Sequence, residues 1–126
     1  KQLSESNISQ VLSLPARGLQ DIPGIIKQCD GLKKLDFSQN RCKHISPFVG
    51  LLVHITDLNL RGNRLKDCPK EIGAIVGMKL VDFGENRLKE VPECLATLHN
   101  MSMLWLDQNE IKSIPKWFAD LECLQY

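Results

Sequence analysis

The chain has 126 residues, 43% of them hydrophobic, and a formal net charge of +1. This length fits a single domain, and the near-neutral charge gives no general attraction to nucleic acid or to anionic membranes. The sequence has no apolar run of about 18 residues, and it does not start with the basic residues and apolar core of a signal peptide. It therefore indicates neither a transmembrane span nor a leader.

A 23-residue repeat dominates the sequence. Asn40, Asn63, Asn86 and Asn109 stand at this interval, each inside a Leu-x-x-Leu-x-Leu-x-x-Asn-x-Leu frame. When the repeats are aligned on this Asn, the positions at −8, −5, −3, +2, +5, +9 and +12 are apolar throughout, with Ser9 as the exception. Self-similarity of this length is typical of a solenoid, in which stacked coils bury a continuous core.

The chain divides into a terminal segment 1–8, five repeats over 9–123, and the start of an incomplete sixth repeat at 124–126. In each repeat an alternating apolar segment predicts a short strand, and the Asn follows at a turn. A Pro six positions after the Asn, or after Arg17 in the first repeat, then starts a short helical or 3₁₀ return in four of the repeats. The repeats run 9–31, 32–54, 55–77, 78–100 and 101–123.

The Asn at each turn predicts a ladder of hydrogen bonds. Its side-chain amide both donates and accepts, so it can pair main-chain groups of the neighbouring coil that burial would otherwise leave unpaired. The ladder consists of Asn40, Asn63, Asn86 and Asn109.

This pattern resembles the leucine-rich repeats. Residues 58–65, Leu-Asn-Leu-Arg-Gly-Asn-Arg-Leu, and 91–95, Val-Pro-Glu-Cys-Leu, are similar to the 23-residue class that carries Leu-Pro after the strand, found in intracellular Ras-group repeats. The resemblance covers 9–123 and implies an α/β fold: a right-handed horseshoe solenoid with a parallel sheet on its concave side and short helical or 3₁₀ returns on its convex side. It also implies a scaffold that binds a protein partner and is not an enzyme.

Outward-facing strand positions predict the binding surface. Residues at the same offset from each Asn form columns across the sheet, so Asp82 and Trp105 are expected side by side on neighbouring strands. Leu80 and Met103 share the next column, and these apolar side chains beside a Trp are typical of a binding centre. The alternative is that Trp105 packs over its neighbours only to cover the sheet.

Carboxylates surround this patch and could receive Lys or Arg from a basic segment of a partner. Ordinary solvation of the sheet explains them equally well. Because they are spread over an open surface that encloses no substrate, they do not indicate a catalytic acid and base. The predicted partner-binding residues are Asp36, Asp57, Asn59, Arg61, Leu80, Asp82, Met103, Trp105 and Asp107.

A row of cations, here named the basic rim, follows the ladder at offsets +1 and +3. A solvated edge whose charges are offset by Asp67 and Glu90 is the simpler interpretation, and contact with an acidic protein segment or anionic lipid is the functional one. Aromatic residues do not interleave with the cations, which disfavours nucleic acid. The basic rim consists of Arg41, Lys43, Arg64, Lys66, Arg87, Lys89 and Lys112.

The cysteines indicate a reducing compartment, and hence the cytoplasm. Cys29, Cys42 and Cys68 occupy interior positions, where a free thiol behaves as a small hydrophobe, whereas Cys94 and Cys123 lie outside them. The three histidines do not stand at zinc-binding spacing from the cysteines, so neither a metal nor another cofactor is expected.

The end of the fifth repeat is expected to expose an apolar edge that includes Phe118 and Leu121. Further repeats, another domain or self-association would cover such an edge. The sequence thus favours an intracellular protein-interaction module. Two alternatives remain open: a targeting or regulatory domain of a larger enzyme or bacterial effector, and a fragment of an extracellular ligand-binding receptor.

Overall fold

A computed structural model describes residues 11–29 and 31–121, except for the side chain of Ile25. The predicted terminal segments, 1–8 and 124–126, lie outside these residues. Five strands alternate with five 3₁₀ helices, and each element begins 23 residues after its counterpart in the preceding coil. The strands are β1 (Val11–Ser13), β2 (Lys34–Asp36), β3 (Asp57–Asn59), β4 (Leu80–Asp82) and β5 (Met103–Trp105). The helices are η1 (Gly24–Gln28), η2 (Pro47–Leu51), η3 (Lys70–Ala74), η4 (Glu93–Thr97) and η5 (Lys116–Asp120). A strand and the helix after it form one coil.

The strands build one parallel sheet in the order β1 to β5. Their register pairs residues of equal offset, because every coil has the same length between strands. Leu80 pairs with Met103, and Asp82 pairs with Trp105 on the neighbouring strand. The predicted columns, and with them the placement of Asp82 beside Trp105, are confirmed.

Proline explains where the helical returns begin. Pro23, Pro69, Pro92 and Pro115 precede their helices in an extended conformation, and in the second coil Ser46 takes that place with Pro47 as the first helical residue. The residue after each helix closes it by donating its N–H to the carbonyl three positions back. All five returns are 3₁₀ helices. None of the helices in the described ranges has the length and apolar character needed to cross a bilayer.

The core follows the repeated apolar positions. In coils 2 to 4 all of these side chains are buried except Cys68, which is half-buried. Burial stabilises the fold by roughly 1.5–3 kcal/mol for each large side chain, which short three-residue strands could not supply by pairing alone.

The fifth coil corrects one expectation. Phe118 and Leu121 are only 9% and 4% exposed, because both join the main core cluster, where Trp117 packs edge-on against Phe118 at 5.2 Å between ring centroids. Among the repeated apolar positions of this coil, the exposed one is instead Ile114. Leu104, Leu106 and Ile111 are half-buried.

The Asn ladder is confirmed. The Asn63 side chain accepts a hydrogen bond from the Cys42 N–H at 2.9 Å and donates to the carbonyls of Phe37 and Leu60, both at 3.0 Å. Two of these three partners lie in the preceding coil. The other ladder residues repeat this arrangement, so each Asn ties its own turn to the coil before it.

In the second and third coils, glycine at offset +10 allows close contact with the next helix. A Cβ added to Gly50 in η2 would lie 2.6 Å from the main-chain oxygen of Glu71 and 2.8 Å from its Cβ. A Cβ on Gly73 in η3 would lie 2.8 Å from the hydroxyl of Thr97. The absence of a side chain therefore sets how closely η2, η3 and η4 stack.

Candidate functional site

The predicted apolar patch lies on the concave face. Met103 and Trp105 are 39% and 36% exposed on β5, and Leu80 is half-buried beside Met103. Next to the patch is an open groove of about 370 Å³ that crosses β1 to β4 and reaches Trp105. Its side chains include Val11, Ser13, Lys34, Asp36, Asp57, Asn59, Leu80 and Asp82.

Three polar side chains of the predicted set have a structural task at the strand ends. Asp36, Asn59 and Asp82 each accept a hydrogen bond from the main-chain N–H two residues later, at 2.9–3.0 Å. Such bonds fix the turn after the strand. Trp105 occupies the same offset in the fifth coil and has no acceptor for this purpose. In the fifth coil, an exposed indole ring therefore stands where the other coils have a side chain that stabilises the turn.

Arg61 binds several carboxylates of the concave face. Its Nε donates to Asp82 at 3.1 Å, one terminal nitrogen donates to Glu85 at 3.0 Å, and both terminal nitrogens donate to Asp107. These four residues are named the Arg61 cluster. A planar guanidinium suits this forked geometry. Since Asp107 belongs to the fifth coil and Arg61 to the third, the side chain spans the coil between them.

Gly84 leaves room for the Arg61 side chain to cross the fourth coil. A Cβ on Gly84 would overlap the Cζ and Nη2 atoms of the Arg61 guanidinium and would lie 2.7 Å from its Nη1. The three residues Arg61, Gly84 and Asp107 share one offset in consecutive coils. This order of cation, glycine and carboxylate was the available sequence signal for the cluster.

The Arg61 cluster predicts a pH dependence. Its hydrogen bonds to Asp107, and then to Asp82, raise the pKa of Arg61, while the bond from Arg61 holds the pKa of Asp107 below its usual value. The stabilisation from Asp107 is therefore present above the ordinary aspartate pKa and is lost as the pH falls through the lowered value. We expect Arg61→Gln to return the pKa of Asp107 to its ordinary value, measured by NMR of the carboxyl carbon. The same pKa in both proteins would contradict the pairing.

The four predicted aspartates fall into two groups. Asp82 and Asp107 are held by Arg61, whereas Asp36 and Asp57 line the groove, where Asp57 lies 4.0 Å from the Lys34 ammonium. Of the carboxylates that line the groove, Asp82 is thus bound by Arg61, whereas Asp36 and Asp57 are not. The predicted set omitted Val11, an exposed apolar wall of the groove, and Glu85 of the cluster.

The basic rim is exposed apart from a half-buried Arg64. Among the residues that the structure describes, none of its cations forms an ion pair, so the expected offsetting contacts with Asp67 and Glu90 are not formed. A depression of about 360 Å³ lies at the end of the rim nearest to the first coil. It is lined by Gln20, Asp21, Arg41, Lys43, His44 and Arg64 and is named the basic pocket.

The pKa values of the cysteine thiols depend on burial and on neighbouring groups. Burial raises the pKa of Cys42 to about 11, and its thiol donates to the His44 carbonyl at 2.8 Å. A hydrogen bond between Cys68 and Cys94 raises the pKa of Cys68 and lowers that of Cys94. Cys123 lies outside the described residues.

Within residues 11–29 and 31–121, no group of three or more His, Cys, Asp or Glu side chains is arranged to hold a metal ion.

Comparison with known proteins identifies the architecture. No protein-family model matches the sequence, and no curated protein matches it either. Among solved structures, the fold is similar to that of the leucine-rich-repeat protein LIC12759 of Leptospira interrogans, with a TM-score of 0.88 and 30% sequence identity. The match covers 91% of this chain and 29% of that protein, so the chain spans less than a third of its relative.

Proposed function

Since the chain is a leucine-rich-repeat protein, we propose that it is an interaction module that binds a protein partner on its concave face. Folds of this kind are typically scaffolds for binding rather than enzymes. The observation that carries the proposal is the exposure of Trp105 and Met103 beside the groove, on a sheet whose other outward-facing positions are largely polar. Exposed aromatic surface next to a concavity is typical of an energetic centre for binding.

The mechanism is surface complementarity that exists before the partner arrives. The sheet is held by the Asn ladder and by an unbroken register, so little main-chain ordering accompanies association. Trp105 supplies the apolar anchor, with Met103 and Leu80 around it. Val11 adds an apolar contact at the opposite end of the groove.

Charge favours a partner segment that is basic. Asp36 and Asp57 line the groove, and the Arg61 cluster carries three carboxylates against one guanidinium. The concave face therefore keeps an excess of negative charge. A Lys or Arg of the partner would reach Asp36 and Asp57 without breaking an ion pair other than the one between Asp57 and Lys34.

A reducing, cytoplasmic setting is part of the proposal. Cys42 packs in the interior, where burial disfavours its thiolate, and Cys68 and Cys94 are free thiols. Free thiols persist where glutathione and thioredoxin keep them reduced.

We expect Trp105→Ala to weaken partner binding by at least about 1–2 kcal/mol, or roughly 5- to 30-fold in affinity. The substitution removes the anchor while the turn loses nothing, because Trp105 caps no main-chain group. Affinity capture with the wild-type chain supplies the partner, and calorimetric titration of that purified partner gives the two affinities.

Leu51→Ala is the matched control, since Leu51 is 71% exposed on η2, away from the sheet. It removes an exposed apolar side chain of the convex side and should leave the affinity unchanged. Equal affinities for the wild type and Trp105→Ala would reject the concave patch. An equal loss of affinity in Trp105→Ala and Leu51→Ala would show that the effect is not specific to the concave face, and would also reject the patch.

A further inference from the structure

The main chain holds the arginines of the basic rim in one column. The N–H groups of Arg41, Arg64 and Arg87 each donate to a carbonyl of the preceding coil at 2.8 Å. The residues between the +1 and +3 cations, such as Cys42 and Leu65, are fully buried, so the cations on both sides of them point outward. The rim is therefore a rigid double row of charge.

These cations form no ion pair within the described part of the chain. Asp67 and Glu90 are exposed and form no ion pair with them. Like charges at the spacing of stacked coils repel one another, and a bound anion would relieve that repulsion. The basic pocket concentrates the effect, because three of the rim cations and His44 line it with Asp21 as its one acidic residue.

We propose that the basic pocket binds an acidic peptide segment, as a second interaction surface separate from the concave face. Side chains two residues apart on an extended chain are about 6.6 Å apart. Alternate carboxylates of such a segment can therefore face Arg41 and Lys43, which also stand two residues apart and line the pocket together. Arg41 and Arg64 lie in neighbouring coils, and the guanidinium of each can donate two hydrogen bonds to one carboxylate of the bound segment. Gln20 adds a neutral amide at the edge of the pocket.

The surroundings favour a peptide over a lipid surface. No exposed apolar side chain stands between the cations to enter a membrane, since Cys42 and Leu65 are fully buried. Asp67 and Glu90 follow the next lysines along the rim and would face the phospholipid headgroups of an approaching bilayer. A narrow segment entering the pocket avoids both carboxylates.

The test uses a labelled peptide of consecutive glutamates and fluorescence anisotropy at low and at physiological ionic strength. We expect binding that weakens as salt is added. Combining R41Q, K43Q and R64Q should weaken binding about tenfold or more at low salt, because three charged contacts are removed together. Trp105→Ala should bind the peptide as the wild type does, so this result stands apart from the fate of the concave-face proposal.

Combining K33Q, K79Q and K116Q is the matched control, because these exposed lysines lie outside the rim and their loss changes the net charge equally. It should keep wild-type affinity within about threefold. An equal loss in both triple variants would overturn the proposal, as would equal binding of an oligolysine peptide. Sedimentation with phosphatidylcholine–phosphatidylserine vesicles completes the test. Vesicle binding that depends on the rim, without peptide binding, would assign the surface to lipid and overturn the proposal.

Discussion

Replacing Asn63 by alanine should destabilise the fold by about 1–3 kcal/mol, since one buried main-chain donor would lose its partner, at roughly that cost. Two buried carbonyls would each lose one of two hydrogen bonds while keeping those from Asn40 and Asn86. These groups are the Cys42 N–H and the carbonyls of Phe37 and Leu60. Water cannot replace the amide, because Cys42 and Leu60 are fully buried. Urea unfolding followed by circular dichroism measures the change as a lower midpoint at similar slope.

Asn100→Ala makes the same chemical change on the surface. The Asn100 amide donates to the Val76 carbonyl at 3.1 Å, and water can take over that exposed bond. The expected loss is below about 0.5 kcal/mol. If Asn63→Ala were no more destabilising than Asn100→Ala, the ladder would not be a main source of stability.

Gly50→Ala should destabilise the fold by about 1–3 kcal/mol, because the added methyl group meets main chain rather than a movable side chain. The Glu71 carbonyl oxygen would lie 2.6 Å from the new carbon. Relief of that overlap requires η3 to move away from η2, which disturbs the buried side chains Val49 and Ile72. The same urea experiment detects the loss.

Gly24→Ala provides the comparison, since Gly24 also lies in a 3₁₀ helix and nothing stands within 4 Å of its added Cβ. Its effect should range from none to a gain of about 1 kcal/mol, because alanine restricts the unfolded chain more than glycine does. A loss equal to that of Gly50→Ala would point to helix propensity instead of the η2–η3 contact.

The sequence alone predicted the architecture almost completely. One interval of 23 residues determines strand register, because strands of equal offset pair when all coils are equally long. The Asn ladder and the proline-led returns followed from the chemistry of single residues. The fifth coil was predicted less well: which apolar residues remain exposed depends on packing against the neighbouring coil, and there Phe118 is buried while Ile114 is exposed.

The sequence predicted where the site residues lie, but not which of them form ion pairs with one another. Offsets placed Leu80, Met103 and Trp105 together, and the structure places them so. Pattern could not show that Arg61 reaches past Gly84 to Asp107, because this depends on side-chain length and on the space above a glycine. The predicted acidic surface is consequently smaller than its four aspartates suggested.

Arg61 also changes how the stack comes apart. Hydrogen bonds of the ladder and the sheet join only adjacent coils, which is the nearest-neighbour coupling of a one-dimensional array. The guanidinium adds a link between the third coil and the fifth. Fraying of the last coil must break this longer tie as well as its own contact with the fourth, so the tie couples the opening of the fifth coil to the third.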